Sequence, residues 1–330
     1  GEIDRPVRTT DPLKRQPVRQ PDRNHQRLQF VKPVVAPAQV QITAGATHAL
    51  SCAVGALLDP GDEIILVTPH WPLIRGIAQS RSVVPVEAVT TPNMSGPDFV
   101  AALARALTPR TRAIYLANPN NPDGAVRTRD ELAGLVAFAT GANLWVLCDE
   151  VYEDYVYTGE HVSLAALPGA LERTVSVFSM SKSYAQAGLR VGYSVGPAAA
   201  MDAIRKMANH SIYNVPQAMQ RAALGSLRTG GAFLAKAKAA YRDARDFALA
   251  HLQLPTRVPD AATYLFLDLS AHCDDDAMPV LERIAEAGVL LAPGSGFGAA
   301  CARSARLCFT AVDRDRLAIG IDRINRVLAE

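Results

Sequence analysis

The chain lacks any apolar run near the roughly 18 residues that span a bilayer, and its N-terminus is charged and proline-rich where a signal peptide is apolar. Both absences argue against secretion and membrane insertion. A C-x-x-C pair is also missing. The five cysteines, Cys52, Cys148, Cys273, Cys301 and Cys308, are scattered and odd in number, which argues against a zinc or disulfide framework and suits reduced thiols in the cytoplasm. Net charge is small: Lys+Arg 34 against Asp+Glu 32 leave +2, too little to draw nucleic acid or a membrane surface. A small-molecule partner is therefore expected. No internal repeat is present.

What is there is 330 residues, 49% hydrophobic, long enough for a large core and about two domains. Residues 1–37 crowd Arg, Pro, Gln and Asp together with little apolar periodicity, so they read as a flexible or loosely docked arm. Their basic excess, eight Lys/Arg against four Asp/Glu from Gly1 to Pro33, comes without the aromatic interleaving of a nucleic-acid arm. From Val40 short apolar runs alternate with amphipathic stretches. Strands are expected at Val40–Thr43, Glu63–Val67, Val83–Glu87, Ala113–Leu116, Leu144–Cys148, Thr174–Phe178 and Val191–Val195. Helices are expected between them at His48–Leu58, Leu73–Gln79, Asp98–Ala106 and Arg129–Ala139, the last N-capped by Thr128. This alternation predicts an α/β fold, a mostly parallel seven-stranded sheet between helices. Helix Ala198–Ala208 and one long Ala-rich helix from about Pro216 to Leu252 follow. The tail reads as a smaller α+β unit: strand Tyr264–Leu269, helix Met278–Ala287, strands Val289–Leu291 and Ala305–Phe309, helix Arg314–Leu328. The expected division is an arm at 1–37, a large domain at 38–245 and a small C-terminal domain at 246–330.

The chemistry concentrates in Ser179-Met180-Ser181-Lys182-Ser183-Tyr184-Ala185-Gln186-Ala187-Gly188-Leu189-Arg190-Val191-Gly192. A lysine amine condenses with aldehydes once deprotonated, and nearby hydroxyls with a guanidinium hold phosphate. A phosphorylated aldehyde is the ligand this combination suits, although a Ser-Lys pair alone reads as a surface turn. Ligands of open α/β sheets collect beyond the strands' carboxyl ends, where other candidates fall. Thr43-Ala44-Gly45-Ala46-Thr47 joins the first strand to a helix and offers free amides to an anion, or is a steric junction. Asn118-Pro119-Asn120-Asn121-Pro122-Asp123-Gly124 is a tight double turn that also fixes the Asn121 amide in space, to donate to a ring oxygen or to a substrate carboxylate. Asp149-Glu150-Val151-Tyr152 closes an apolar strand: a solvated acidic cap, or a buried carboxylate that keeps a heterocyclic nitrogen protonated, with Tyr152 in reach. Trp71 packs a core or stacks on a flat ring. Arg306 lies exposed on a strand or grips a carboxylate with paired hydrogen bonds. Tyr264 and Phe297 read equally as core or as an aromatic pocket. His272-Cys273-Asp274-Asp275-Asp276 reads as a solvated loop, since adjacent side chains rarely converge on a metal.

In this order the pieces resemble the class I/II aminotransferases, fold type I enzymes that use pyridoxal 5′-phosphate, from about Val40 to the C-terminus. The resemblance implies that Lys182 carries the cofactor as an imine and later moves the α-proton of the substrate. It implies phosphate ligands at Ser179, Arg190, Gly45, Ala46 and Thr47, a ring-nitrogen partner at Asp149, donors to the ring 3′-oxygen at Tyr152 and Asn121, a stacking aromatic at Trp71 and an α-carboxylate binder at Arg306. The implied activity is amino transfer from an amino acid to a 2-oxo acid by a homodimer, with no metal, nucleic acid or membrane partner. A lyase, decarboxylase or cyclase on the same scaffold is the alternative. Three departures stand out: Gln186 where the family has an apolar residue, Asp123 where it has Thr, and residues 1–37, which resemble nothing in the family. The last raises the expectation of a shortened or replaced N-terminus with weak or no turnover.

Overall fold

The computed structural model describes residues 30–31, 35–92 and 94–330. Most of the expected arm lies outside these residues. Its one described strand, β1 (Phe30–Val31), pairs in parallel with β7 (His161–Val162), so the arm is docked at that point.

The main sheet contains β2 (Val40–Thr43), β3 (Glu63–Thr68), β4 (Val84–Val89), β5 (Thr111–Ala117), β6 (Trp145–Asp149), β8 (Thr174–Ser179) and β9 (Gly192–Val195). Their order is β2-β9-β8-β6-β5-β3-β4; only β9 runs against its neighbours. Seven strands were expected, and seven form. Alternation decides which side chain meets which layer of helices. Ile64, Leu66, Ala113 and Tyr115 face α1 (Ala46–Leu57) and α6 (Ala198–Ser211), whereas Ile65, Val67, Ile114 and Leu116 face α3 (Gly96–Ala106) and α4 (Arg129–Gly141). Both faces are therefore apolar, as a covered parallel sheet requires. Thr128 caps α4 as expected: its hydroxyl accepts from the Glu131 amide (3.2 Å) and Glu131 accepts from the Thr128 amide (2.8 Å), a capping box that contributes about 1 kcal/mol.

The second core joins β10 (Tyr264–Asp268), β11 (Ala292–Pro293) and β12 (Ser304–Cys308), an antiparallel sheet, to α9 (Met278–Glu286), α10 (Arg314–Ala329) and the end of α8 (Gly231–His251). Two expectations are corrected here. The single long helix is two, α7 (Gln217–Thr229) and α8, separated at Gly230. A Cβ at Gly230 would lie 2.5 Å from the ring of Tyr184, so this point accepts only glycine where the helix meets the lysine turn. The strand expected at Val289–Leu291 forms instead at Ala292–Pro293, because the register with β12 pairs Ala292 with Arg306 and leaves Leu290 exposed. No helix among the described residues is long and apolar enough to cross a membrane.

Candidate active site

The carboxyl ends of β2, β5, β6 and β8 surround a cavity of about 350 Å³ that the second core closes from the side of β12. Ten of the eleven site residues expected from sequence line it, and the eleventh, Gly45, caps α1 just behind.

One end is built from backbone in two short segments that the β2–β9 pairing brings together. Ala46 and Thr47 open α1, whose first turn has no side-chain cap among the described residues, so its amides face the cavity as an anion site. Ser179 ends β8, and its hydroxyl accepts from the Ser181 amide (3.1 Å). After the short α5 (Met180–Ser183), which carries Lys182, the chain returns through Arg190 in the left-handed region (φ 52). Such a conformation costs about 1 kcal/mol or more for a non-glycine residue and persists where surroundings impose it. Here it turns the guanidinium onto the Ser181 hydroxyl (3.3 Å) and the Ala44 carbonyl (3.0 Å). Gly45 (φ +81) makes room: a Cβ there would lie 2.4 Å from the Arg190 guanidinium. Sequence reading did not assign Ser181, though it stands directly before Lys182.

The floor carries the buried charge. Asp149, 5% exposed, accepts from the Val151 amide (3.3 Å) and from the Tyr115 hydroxyl (3.2 Å). Burial pushes its carboxyl up to about 6, while those two donors pull the other way. Glu150 is drawn elsewhere, onto His161 Nε2 (2.9 Å) and the Ser163 hydroxyl (3.0 Å), which leaves Asp149 as the carboxylate of the cavity. Tyr115 was missed because it reads as one more apolar position of β5. Alternation places it on the α1 face, with Ala117, toward Asp149.

Above the floor, Lys182 Nζ lies 5.7 Å from the Tyr152 ring centroid, and Trp71 forms a flat, half-buried wall. Of the three asparagines in the double turn, only Asn121 lines the cavity. Asn118 Oδ1 accepts from the Arg127 amide, and Asn120 Nδ2 donates to Pro69 O and Asp123 Oδ1. Asp123 accepts a second time from the Ala125 amide (3.0 Å), so it ties the turn through two bonds. The other departure, Gln186, donates to Ser226 on α7 (2.6 Å) and anchors the lysine turn.

The far end is assembled across the fold. Arg306 on β12 donates from Nη1 to Asn121 Oδ1 (2.8 Å) and lies over the rings of Tyr264 (4.2 Å) and Phe297 (5.0 Å). Its Nε is buried without a partner among the described residues, a donor left for a ligand. The His272–Asp276 segment is largely exposed, as expected of a loop.

The donors of this cavity suit a phosphorylated, ring-shaped anion: amides and a guanidinium at one end, a flat wall, and a buried carboxylate that gains a partner when a cationic ring nitrogen arrives. Comparison with known proteins agrees. The sequence profile of aminotransferase class I and II matches residues 16–324. That match begins inside the expected arm, ahead of the start at about Val40 read from the motifs. An aspartate/prephenate aminotransferase of Thermus thermophilus is 34% identical over 302 residues, 89% of this chain and 76% of the relative. An arginine–pyruvate transaminase of Pseudomonas aeruginosa is 36% identical, covering 82% and 70%. Among solved structures, Thermus thermophilus aspartate aminotransferase with maleate superposes at a TM-score of 0.82 with 33% identity, covering 89% of this chain and 77% of that one. With motif order, sheet topology and sequence in agreement, the chain belongs to the class I and II aminotransferases and is a pyridoxal-phosphate-dependent enzyme that transfers amino groups of amino acids.

Proposed function

We propose that Lys182 is the catalytic amine and that the amino donor is an α-amino acid held by its carboxylate at Arg306. The convergence of Lys182, Asp149 and Arg306 on one cavity carries this reading. Ser179, Ser181, Arg190 and the amides of Ala46 and Thr47 would hold the cofactor phosphate, Trp71 its ring face, and Tyr152 and Asn121 its 3′-oxygen. When bound, pyridoxal phosphate supplies an electron sink for the electrons left at the substrate Cα. Asp149, ionised beside the ring nitrogen, keeps that nitrogen positive. Lys182, once its amine is free, would take the α-proton and deliver it to C4′, the cofactor's aldehyde carbon. Arg306 fixes the carboxylate by two parallel hydrogen bonds and thereby orients the Cα–H bond.

Relatives that act on aspartate, prephenate and arginine leave the amino acid open. The test is reconstitution with pyridoxal phosphate followed by a panel of amino acids against pyruvate and other 2-oxo acids. A visible absorbance that amino acids bleach, with a 2-oxo acid as product, is expected. Ammonia or carbon dioxide as the product would overturn amino transfer.

A homodimer fits the exposed Leu224 and Leu227 of α7, which with Ile42 border an apolar surface hollow behind the lysine turn. Sedimentation of the wild type against Leu227→Glu tests it; a monomer in both would reject it. We assign the unpaired cysteines to a reducing cytoplasm. We divide the chain inside α8, near residue 245, since Ala248 and Leu252 already belong to the second core.

A further inference from the structure

The hydroxyls of Tyr152 and Tyr264 lie 2.6 Å apart, both side chains are buried, and the rings meet edge to face at 5.7 Å. A phenol has one proton to give, so the pair has two arrangements. If Tyr152 donates to Tyr264, its proton is used up and the Tyr264 proton has no acceptor among the described residues. If Tyr264 donates to Tyr152, the proton of Tyr152 is released toward the cavity. Once an anionic oxygen occupies the cavity, only the second arrangement satisfies both hydroxyls.

Three features favour Tyr264 as the donor. Its ring lies under the Arg306 guanidinium, whose charge draws electron density from the phenol and strengthens its O–H as a donor. Its position is fixed by the small sheet, where Tyr264 pairs with Cys308 and Phe266 pairs with Arg306. Tyr152 is surrounded by Lys182 from α5, Asp149 from β6, Tyr115 from β5, and Tyr264 and Arg306 from the small sheet. Among these, Tyr264 is the group hydrogen-bonded to its hydroxyl.

We propose that Tyr264 is a positioning residue: its hydroxyl donates to Tyr152, aims the Tyr152 proton at the cofactor's ring oxygen, and links that oxygen to the substrate-binding Arg306. The proposal rests on the cofactor reading given above. A chain of two hydrogen bonds strengthens each member, so loss of the outer one weakens the inner one.

The experiment is a double-mutant cycle on the reconstituted protein, reading the pH midpoint of its visible absorbance and the cofactor dissociation constant. A proton donated to the ring oxygen favours that oxygen as an anion, so it lowers the pH at which the chromophore is protonated. Tyr264→Phe keeps the ring beneath Arg306 and removes only the hydroxyl. It is expected to raise the midpoint by about half a unit and the dissociation constant about threefold. Tyr152→Phe raises the midpoint further. In that background Tyr264→Phe adds nothing, because the hydroxyl it acts through is gone. An unmoved midpoint in Tyr264→Phe, or the same shift in both backgrounds, overturns the proposal. Failure of the wild type to develop visible absorbance would instead overturn the cofactor reading.

Discussion

Ser179, Ser181, Lys182 and Arg190 reach the cavity from one short run of sequence, whereas Arg306 meets Asn121 across a separation of 185 residues. The first end depends on backbone geometry in two short segments that the β2–β9 pairing sets side by side: a helix start after a glycine at φ +81, and an arginine at φ 52 that reaches the Ala44 carbonyl. The second depends on how the small sheet lies against the Asn121 turn. Cofactor affinity should therefore follow the local end and substrate affinity the long-range end, with Lys182 between them.

The largest break is at the meeting point. Lys182→Ala is expected to lose amino transfer by at least about 10⁴-fold, as removal of both nucleophile and base implies, together with the amino-acid-sensitive visible absorbance. Retained turnover would dissolve the comparison.

Asp149→Asn comes next, with turnover lowered about 10³-fold through loss of the charge facing the ring nitrogen. The same substitution has a second consequence in the apo protein. The Asp149 carboxyl stands at about 6 in the fold against 3.8 as its ordinary value. A group with a raised folded-state value holds its proton more tightly when folded, so its ionisation destabilises the fold as pH rises from near 4 to near 6, and the loss persists above. Apo Asp149→Asn should therefore gain up to about 3 kcal/mol at about pH 8 and little at about pH 4, read by urea unfolding. An equal gain at both would remove the electrostatic account.

Arg306→Lys sharpens the long-range side. Loss of the paired hydrogen bonds is expected to raise KM about 30-fold while the cofactor dissociation constant stays within about twofold. The local side gives the opposite split: Arg190→Ala should weaken cofactor binding about 30-fold, with KM of the saturated enzyme nearly unchanged. If the two substitutions moved both constants equally, the ends would not be separable. The smallest effect is Asp123→Ala, which removes two bonds within the Asn121 turn and is expected to cost about 1–2 kcal/mol in thermal unfolding.

Legibility in the sequence followed the same division. The seven strands, the capped α4 and the lysine block carry their signals in neighbouring residues, through alternation, a capping box and motif spacing, and these were readable. The break at Gly230 lay within an Ala-rich run whose helical pattern outweighed the Gly230-Gly231 pair, and the Tyr184 ring against Gly230 shows what the first glycine of that pair accommodates. Tyr115 likewise looked like core until β5 alternation set its hydroxyl against Asp149.

By itself the sequence determined the α/β class, the position of Lys182 after a strand, and the family, because periodicity and motif order are properties of adjacent residues. The tertiary structure decided which of several polar candidates share a cavity: Asp149 over Glu150, Asn121 over Asn118 and Asn120, and Tyr264 beneath Arg306. Those choices arise from hydrogen bonds and packing between distant segments, which fix a side chain's partner only once the chain has closed on itself.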